Sequence, residues 1–210
     1  LGELLARIFV RSGYHVLVTQ SYMSRIRGGH NTFSVRAGVA PVGAPQRPVD
    51  ILVALDADTV RLHREELAPD GGVVVIDDSL AVDAGGCCVR APFKKLAGAK
   101  YENVAALGVT AALLGLDKPV VSSAVAAHFD NKDAAVAEAN RAAVDAAYAW
   151  AGAATRPVRR LAPADAAVPR LMLNGNEALA LDALAGGVKF CAFYPMSPAT
   201  SIMQSLARHA

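Results

Sequence analysis

Two short apolar runs constrain this chain more than any other feature. DILVALD (residues 50–56) and VVVIDD (73–78) are rich in β-branched residues and stay apolar up to their acidic ends. A strand with one wet face alternates apolar and polar residues. An unbroken apolar run implies burial on both faces, as in a parallel sheet covered by helices. TVRLHREEL, between the two runs, reads as a helix on one face of that sheet, and DGG turns the chain into the second run. Parallel neighbours require such a crossover. The expected class is therefore α/β with a largely parallel, doubly wound sheet.

The flanking segments extend the same grammar. LGELLARIFVRSGY places Leu1, Leu4, Leu5, Ile8 and Phe9 on one helical face and closes at Ser12-Gly13, where glycine supplies a left-handed cap. HVLVTQ and TFSVRAG read as strands on either side of a polar loop, SYMSRIRGGHN. VRAPFKKLAGAK predicts a short strand followed by loop. NVAALGVTAALLG predicts a helix buried nearly all round. A short helix is expected at 122–129, and DAAVAEANRAAVDAAYAWAG reads as a long Ala-rich one. The chain opens inside an amphipathic pattern and closes just after an ordered corner, so it is expected to be a piece of a longer polypeptide.

Residues 153–170 contain Pro157, Pro163 and Pro169 and no periodic pattern, which marks an extended linker between residues 1–152 and 171–210. Beyond it, Asn174 or Asn176 is placed to cap a helix with Glu177 in its first turn. That helix ends at Gly186-Gly187, KFCAF reads as a strand, and YPMSPATS turns into a final helix. One αβα unit of this size is too small to be a stable domain alone.

Composition excludes several functions. A net charge of +2 over 210 residues is too mild to argue for a nucleic-acid partner. No apolar run reaches the ~18 residues of a membrane span, and no secretory leader pattern is present. Cys87, Cys88 and Cys191 lack metal-ligand spacing, so free thiols in a reducing cytoplasm are expected. GxGxxG and Walker-type phosphate motifs are absent. Ser122 and Ser123 lack the GxSxG context of a hydrolase.

Three groups of residues could carry chemistry. SYMSRIRGGHN gathers Tyr22, Ser24, Arg25, Arg27, Gly28, Gly29, His30 and Asn31. Its arginines suit carboxylate or phosphate, and its glycines allow close backbone approach, at a strand end where such sheets place ligands. The same composition also describes a solvated polar turn. Asp56, Asp58, Asp77 and Asp78 stand at the ends of the central strands, where capping the next helix is the ordinary role, as Asp58 would before TVRL. In YPMSPATS, Pro195 and Pro198 fix φ at two positions and press Tyr194 and Ser197 toward extended geometry. The hydroxyls of Ser197, Thr200 and Ser201 then gather at a helix N-terminus. That is either an anion site or a rigid connection with hydroxyl caps, and these residues alone leave both open.

YPMSPATS resembles the YPITPSS motif that opens the pyrimidine-binding domain in the α subunit of 2-oxoacid:ferredoxin oxidoreductases. NGNEALALDALAGGVKF is similar to the helix preceding that motif, and residues 1–38 resemble the γ domain just after its glycine-rich start. A γ domain followed by an α domain is the order of the 2-oxoglutarate-type enzymes.

The resemblance implies a γ domain at 1–152, a linker at 153–170 and the first αβα unit of the pyrimidine-binding domain at 171–210. It implies oxidative decarboxylation of a 2-oxoacid, with 2-oxoglutarate favoured, to acyl-CoA and CO2, electrons passing to ferredoxin. Thiamine diphosphate with Mg2+ and a 4Fe-4S cluster would be held mostly by a partner β subunit, CoA would be co-substrate, and this chain alone would hold none of them and be inactive. Ser197, standing where the motif has Thr, would donate to the substrate carboxylate. Tyr194, Pro195, Pro198 and Thr200 would shape that loop. Arg25, Arg27, Gly28, Gly29, His30 and Asn31 would form an interface or CoA-side loop. The other readings are a non-catalytic nucleotide- or CoA-binding module and a scaffold whose loop docks β.

Overall fold

A computed structural model describes residues 1–22, 29–130, 133–154, 161–165, 169–197 and 199–209. They divide into two compact units, Leu1–Arg170 and Leu171–Ala210.

The first unit is built on the two apolar runs. β3 (Ile51–Ala54), β4 (Val73–Asp77) and β5 (Cys88–Ala91) form a parallel sheet in that order, with Val53 opposite Val75 and Val75 opposite Val89. Every residue of β4 is buried. Its side chains alternate between two cores, which is why the run carries no polar position before Asp77 at its end. Val73 and Val75 pack with Ala91, Phe93, Val109 and Ala147. Val74 and Ile76 pack with Ala54, Val60 and Ala84. Val60 belongs to α2 (Ala57–His63), and Val109 and Ala147 to α4 (Glu102–Leu113) and α6 (Ala134–Ala154), so helices cover both sheet faces.

The β3-β4-β5 sheet is parallel throughout, and a second, smaller sheet stands apart from it. β1 (His15–Ser21) and β2 (Thr32–Gly38) pair antiparallel with each other in a separate two-stranded sheet. α1 (Gly2–Arg11) buries Leu4, Ile8 and Phe9 in a third core with Tyr14, Leu107, Val121 and Val125; Leu5 is only partly covered and Leu1 is exposed. Gly13 closes α1 at φ 89°, a region open to glycine.

Other differences are local. The loop expected after β5 contains α3 (Phe93–Ala97), because Phe93 is drawn into the core at 1% exposure. The short helix expected at 122–129 is α5 (Lys118–His128), started by Pro119 in its first turn. Within the Pro-rich stretch, Leu161 and Ala164 pack against the α1 core. Tyr14 Oη donates to the Ala162 carbonyl at 2.9 Å, and Arg170 donates to the Gly13 carbonyl at 2.7 Å.

The second unit is a helical hairpin of α7 (Gly175–Ala185) and α8 (Ala199–His209), closed on Ala180, Ser205 and Leu206. Asn174 is the cap: its side chain accepts from the Glu177 amide at 2.9 Å, and Glu177 accepts from the Asn174 amide at 3.0 Å. KFCAF forms no strand among the described residues. Residues 188–193 are exposed, and an extended segment without a neighbouring ladder has no hydrogen bonds to hold it as one.

Candidate functional site

Asp56, Asp77 and Asp78 stand at the carboxyl end of the parallel sheet. Asp56, just after β3, caps α2: it accepts from the Thr59 amide at 2.7 Å and the Thr59 hydroxyl at 2.9 Å. The capping role expected of Asp58 therefore belongs to Asp56, because Asp58 already lies in the first turn, paired with Arg61 at 2.5 Å. The Thr59 amide leads in holding the Asp56 carboxyl below its usual range, against burial and with help from the Thr59 hydroxyl, the His30 charge and the Asp58 amide.

Asp77 is 3% exposed at the end of β4. It accepts from the Ser79 amide at 3.0 Å, the Ser79 hydroxyl, and the Lys94 amide at 3.2 Å. Burial pushes this carboxyl up. The Ser79 and Lys94 hydrogen bonds and the Lys94 charge together outweigh that, and the net shift is downward. Asp77 thus joins the end of β4 to the start of α3. Asp78 pairs with Lys95 at 2.7 Å. These acids act as caps and ties, as their positions suggest.

Beside Asp56 lies an open pocket of about 480 Å³, lined by Gly29, His30, Asp56, Asp58, Arg61 and Leu62. The loop motif thus contributes His30 and Gly29 to a strand-end pocket, with Asn31 exposed beside them. Arg25, Arg27 and Gly28 lie outside the described residues. His63, the last residue of α2, reaches His30: their Nε2 atoms are 2.7 Å apart. Its Nδ1 lies 2.9 Å from Glu66, which also pairs with Arg47 at 3.5 Å. Neither His63 nor Glu66 stands out in the sequence; the only local signal is their spacing of three.

In the second unit the YPMSPATS corner is on the surface. Tyr194 is 78% exposed and Met196 63%, and Pro195 and Ser197 are exposed as well. Two of its amides are satisfied internally, Met196 by the Tyr194 carbonyl at 2.7 Å and Thr200 by the Met196 carbonyl at 3.2 Å. Asn176 donates to Ser201 Oγ at 2.6 Å, tying the start of α8 to the start of α7. The corner is therefore braced from within: Tyr194 and Ser197 are exposed, Ser201 is exposed but accepts the Asn176 bond, and Thr200 is half-buried. Pro198 lies outside the described residues.

Residues 1–150 match the family model described as "Pyruvate ferredoxin/flavodoxin oxidoreductase". Over its whole length the chain is 25% identical to subunit alpha of 2-oxoacid:ferredoxin oxidoreductase 2 from Aeropyrum pernix, covering 40% of that protein. A 2-oxoacid:ferredoxin oxidoreductase subunit alpha from a Sulfolobus species is 24% identical over 95% of the chain and 38% of the relative. The chain thus spans well under half the length of these curated relatives.

Among solved structures, 99% of the chain superposes at a TM-score of 0.85 and 24% identity on 38% of a chain of the 2-oxoglutarate:ferredoxin oxidoreductase from Magnetococcus marinus, which was solved with 2-oxoglutarate, coenzyme A and succinyl-CoA bound. The gamma subunit of a keto/oxoacid ferredoxin oxidoreductase from Geobacter sulfurreducens superposes at 0.56 and 23% identity, over 72% of this chain and 91% of that one. Both likenesses show the fold.

Proposed function

Because this chain belongs to the pyruvate ferredoxin/flavodoxin oxidoreductase family, we propose that it is part of the α subunit of a 2-oxoacid:ferredoxin oxidoreductase. In this reading, residues 1–152 are the γ domain, 153–170 the linker, and 171–210 the opening of the pyrimidine-binding domain. The observation that carries it is continuity. The family match ends at residue 150, yet the likeness to α subunits runs through the whole chain, including the YPMSPATS corner. The extent of the γ assignment is supported by the fold shared with a separate gamma subunit.

The corner's task is to bind and orient a 2-oxoacid. Ser197 donates its hydroxyl to the substrate carboxylate, a charge-assisted bond of the stronger kind. Pro195 and Pro198 limit the loop's freedom, so less entropy is lost when the acid binds. The Asn176–Ser201 bond keeps the corner seated on α7. Tyr194 and Thr200 shape the loop around the substrate. Serine in place of threonine keeps the donor and removes one methyl from the pocket wall.

Thiamine diphosphate, when bound, supplies the carbanion-stabilising chemistry that decarboxylation of a 2-oxoacid requires. Among the described residues no group of three or more His, Cys, Asp or Glu side chains is placed to hold a metal ion. From the family resemblance, the reading assigns the Mg2+ of the diphosphate and the 4Fe-4S cluster to the partner β subunit, with ferredoxin as electron acceptor and CoA as acyl acceptor. 2-Oxoglutarate is the favoured substrate, from the γ-before-α order. No helix among the described residues is long and apolar enough to cross a membrane. The compartment proposed is the cytoplasm, from the expectation of free thiols at Cys87, Cys88 and Cys191.

The test is anaerobic assay of the full-length subunit co-expressed with its β partner. We expect thiamine- and CoA-dependent ferredoxin reduction with a 2-oxoacid, faster with 2-oxoglutarate than with pyruvate. Reduction by neither acid, from an assembled and cofactor-loaded complex, would overturn the reading.

A further inference from the structure

The pairing of His30 with His63 is not explained by the proposed activity. Their Nε2 atoms are 2.7 Å apart, the ring planes differ by 21°, and the ring centroids are 4.9 Å apart. The centroid separation exceeds the nitrogen separation by almost the whole of two ring radii. The rings therefore meet tip to tip, close to one plane, and not face to face. Each Nε2 points at the other.

Such a contact holds one proton. A tetrahedral metal would draw the two lone pairs together at an angle, with each nitrogen ~2.0–2.1 Å from the ion. Two nitrogens facing each other 2.7 Å apart leave room for a hydrogen bond only. On the far side of His63, Nδ1 faces the Glu66 carboxylate at 2.9 Å. An ionised carboxylate only accepts, so Nδ1 of His63 carries a proton. With both rings neutral, the Nε2 of His63 is then a bare acceptor, and His30 donates to it from Nε2.

Proton counting gives the consequence. A first added proton goes to Nδ1 of His30 and leaves the Nε2–H···Nε2 bond intact. A second has only the shared nitrogen left, which sets two N–H groups and two positive charges head to head. The charged groups around the pair are Glu66 and Arg47 on the His63 side, and Asp56, Asp58 and Arg61 around the pocket on the His30 side. Three carboxylates against two guanidiniums accommodate one added charge and do not cancel the repulsion between two adjacent imidazoliums.

We propose that His30 and His63 form a proton-controlled latch. It ties the segment just before β2 to the last residue of α2 while the pair carries at most one positive charge, and it releases when the pair carries two. His30 is a wall of the strand-end pocket, so release opens that wall when the pair takes up its second proton. His63 and Glu66 act here as positioning residues. The latch is independent of the Ser197 reading, and neither stands or falls with the other.

The test is long-range 1H–15N NMR of the full-length protein labelled at histidine, between about pH 8 and 5. At the basic end we expect the Nδ1–H form of His63 and the Nε2–H form of His30. On acidification the two rings should titrate in two coupled steps, and amide exchange at Gly29 to Asn31 should accelerate only with the second. In His63→Phe, His30 should titrate in one simple step with that exchange already fast. The Nε2–H form of His63, two independent titration curves, or a His30 unaffected by His63→Phe would each overturn the latch.

Discussion

Gly108 and Ala147 meet where α4 lies against α6: a Cβ on Gly108 would sit 2.7 Å from the Cβ of Ala147 and 3.5 Å from the Cα of Val144. The close approach is what allows two Ala-rich helices to bury one another. In the middle of a helix, glycine to alanine ordinarily gains about 1 kcal/mol. Here the overlap falls on a short, rigid side chain and neighbouring backbone, so Gly108→Ala is expected to be destabilising by about 1–3 kcal/mol. A shift of the urea midpoint to lower concentration at unchanged slope checks this.

Asp77 links stability to pH. Its folded-state pKa is depressed, so its contribution is present above the unfolded value of about 3.9 and is lost as pH falls through the lower folded value. Asp77→Asn should therefore flatten the acid limb of a stability profile below about pH 4. Asp77→Ala leaves the Ser79 and Lys94 amides unpaired and should lower stability by about 1–3 kcal/mol near neutrality. Thermal melts of both variants from acid to neutral pH measure the two effects.

The second unit tests its own cap. Asn174→Ala removes the acceptor for the Glu177 amide and breaks the reciprocal bond. The loss should be about 1 kcal/mol, felt first in the opening turn of α7. Faster hydrogen exchange at Glu177 and Ala178, with exchange in β4 unchanged, is the expected result.

How far the sequence alone reached follows from where local physics suffices. β4 was legible because burial on both faces removes polar residues from a strand, and β3, half-buried over most of its length, was legible from its apolar, partly β-branched run. Gly13 was legible because a left-handed cap needs a particular residue type; the cap of α7 was legible only as Asn174 or Asn176, and the fold selects Asn174. α3 was hidden because its five residues show no period; it depends on Phe93 finding the core. KFCAF carries the composition of a strand, but strand formation needs a partner that composition cannot supply. At the candidate sites, the corner was visible from its prolines. His63 and Glu66 were not, because their relation to His30 is made by the fold and spans 33 residues of chain.

The central claim is that Ser197 presents its hydroxyl to the carboxylate of a 2-oxoacid. The most direct measurement is steady-state kinetics of Ser197→Ala in the assembled enzyme, with Ser197→Thr alongside. Removing a hydrogen bond to a charged group, worth about 1.5–3 kcal/mol, should lower kcat/KM for the 2-oxoacid by roughly 10- to 100-fold. The KM for CoA should stay the same, and threonine should restore most of the loss. A kcat/KM for the 2-oxoacid unchanged by Ser197→Ala would contradict the account.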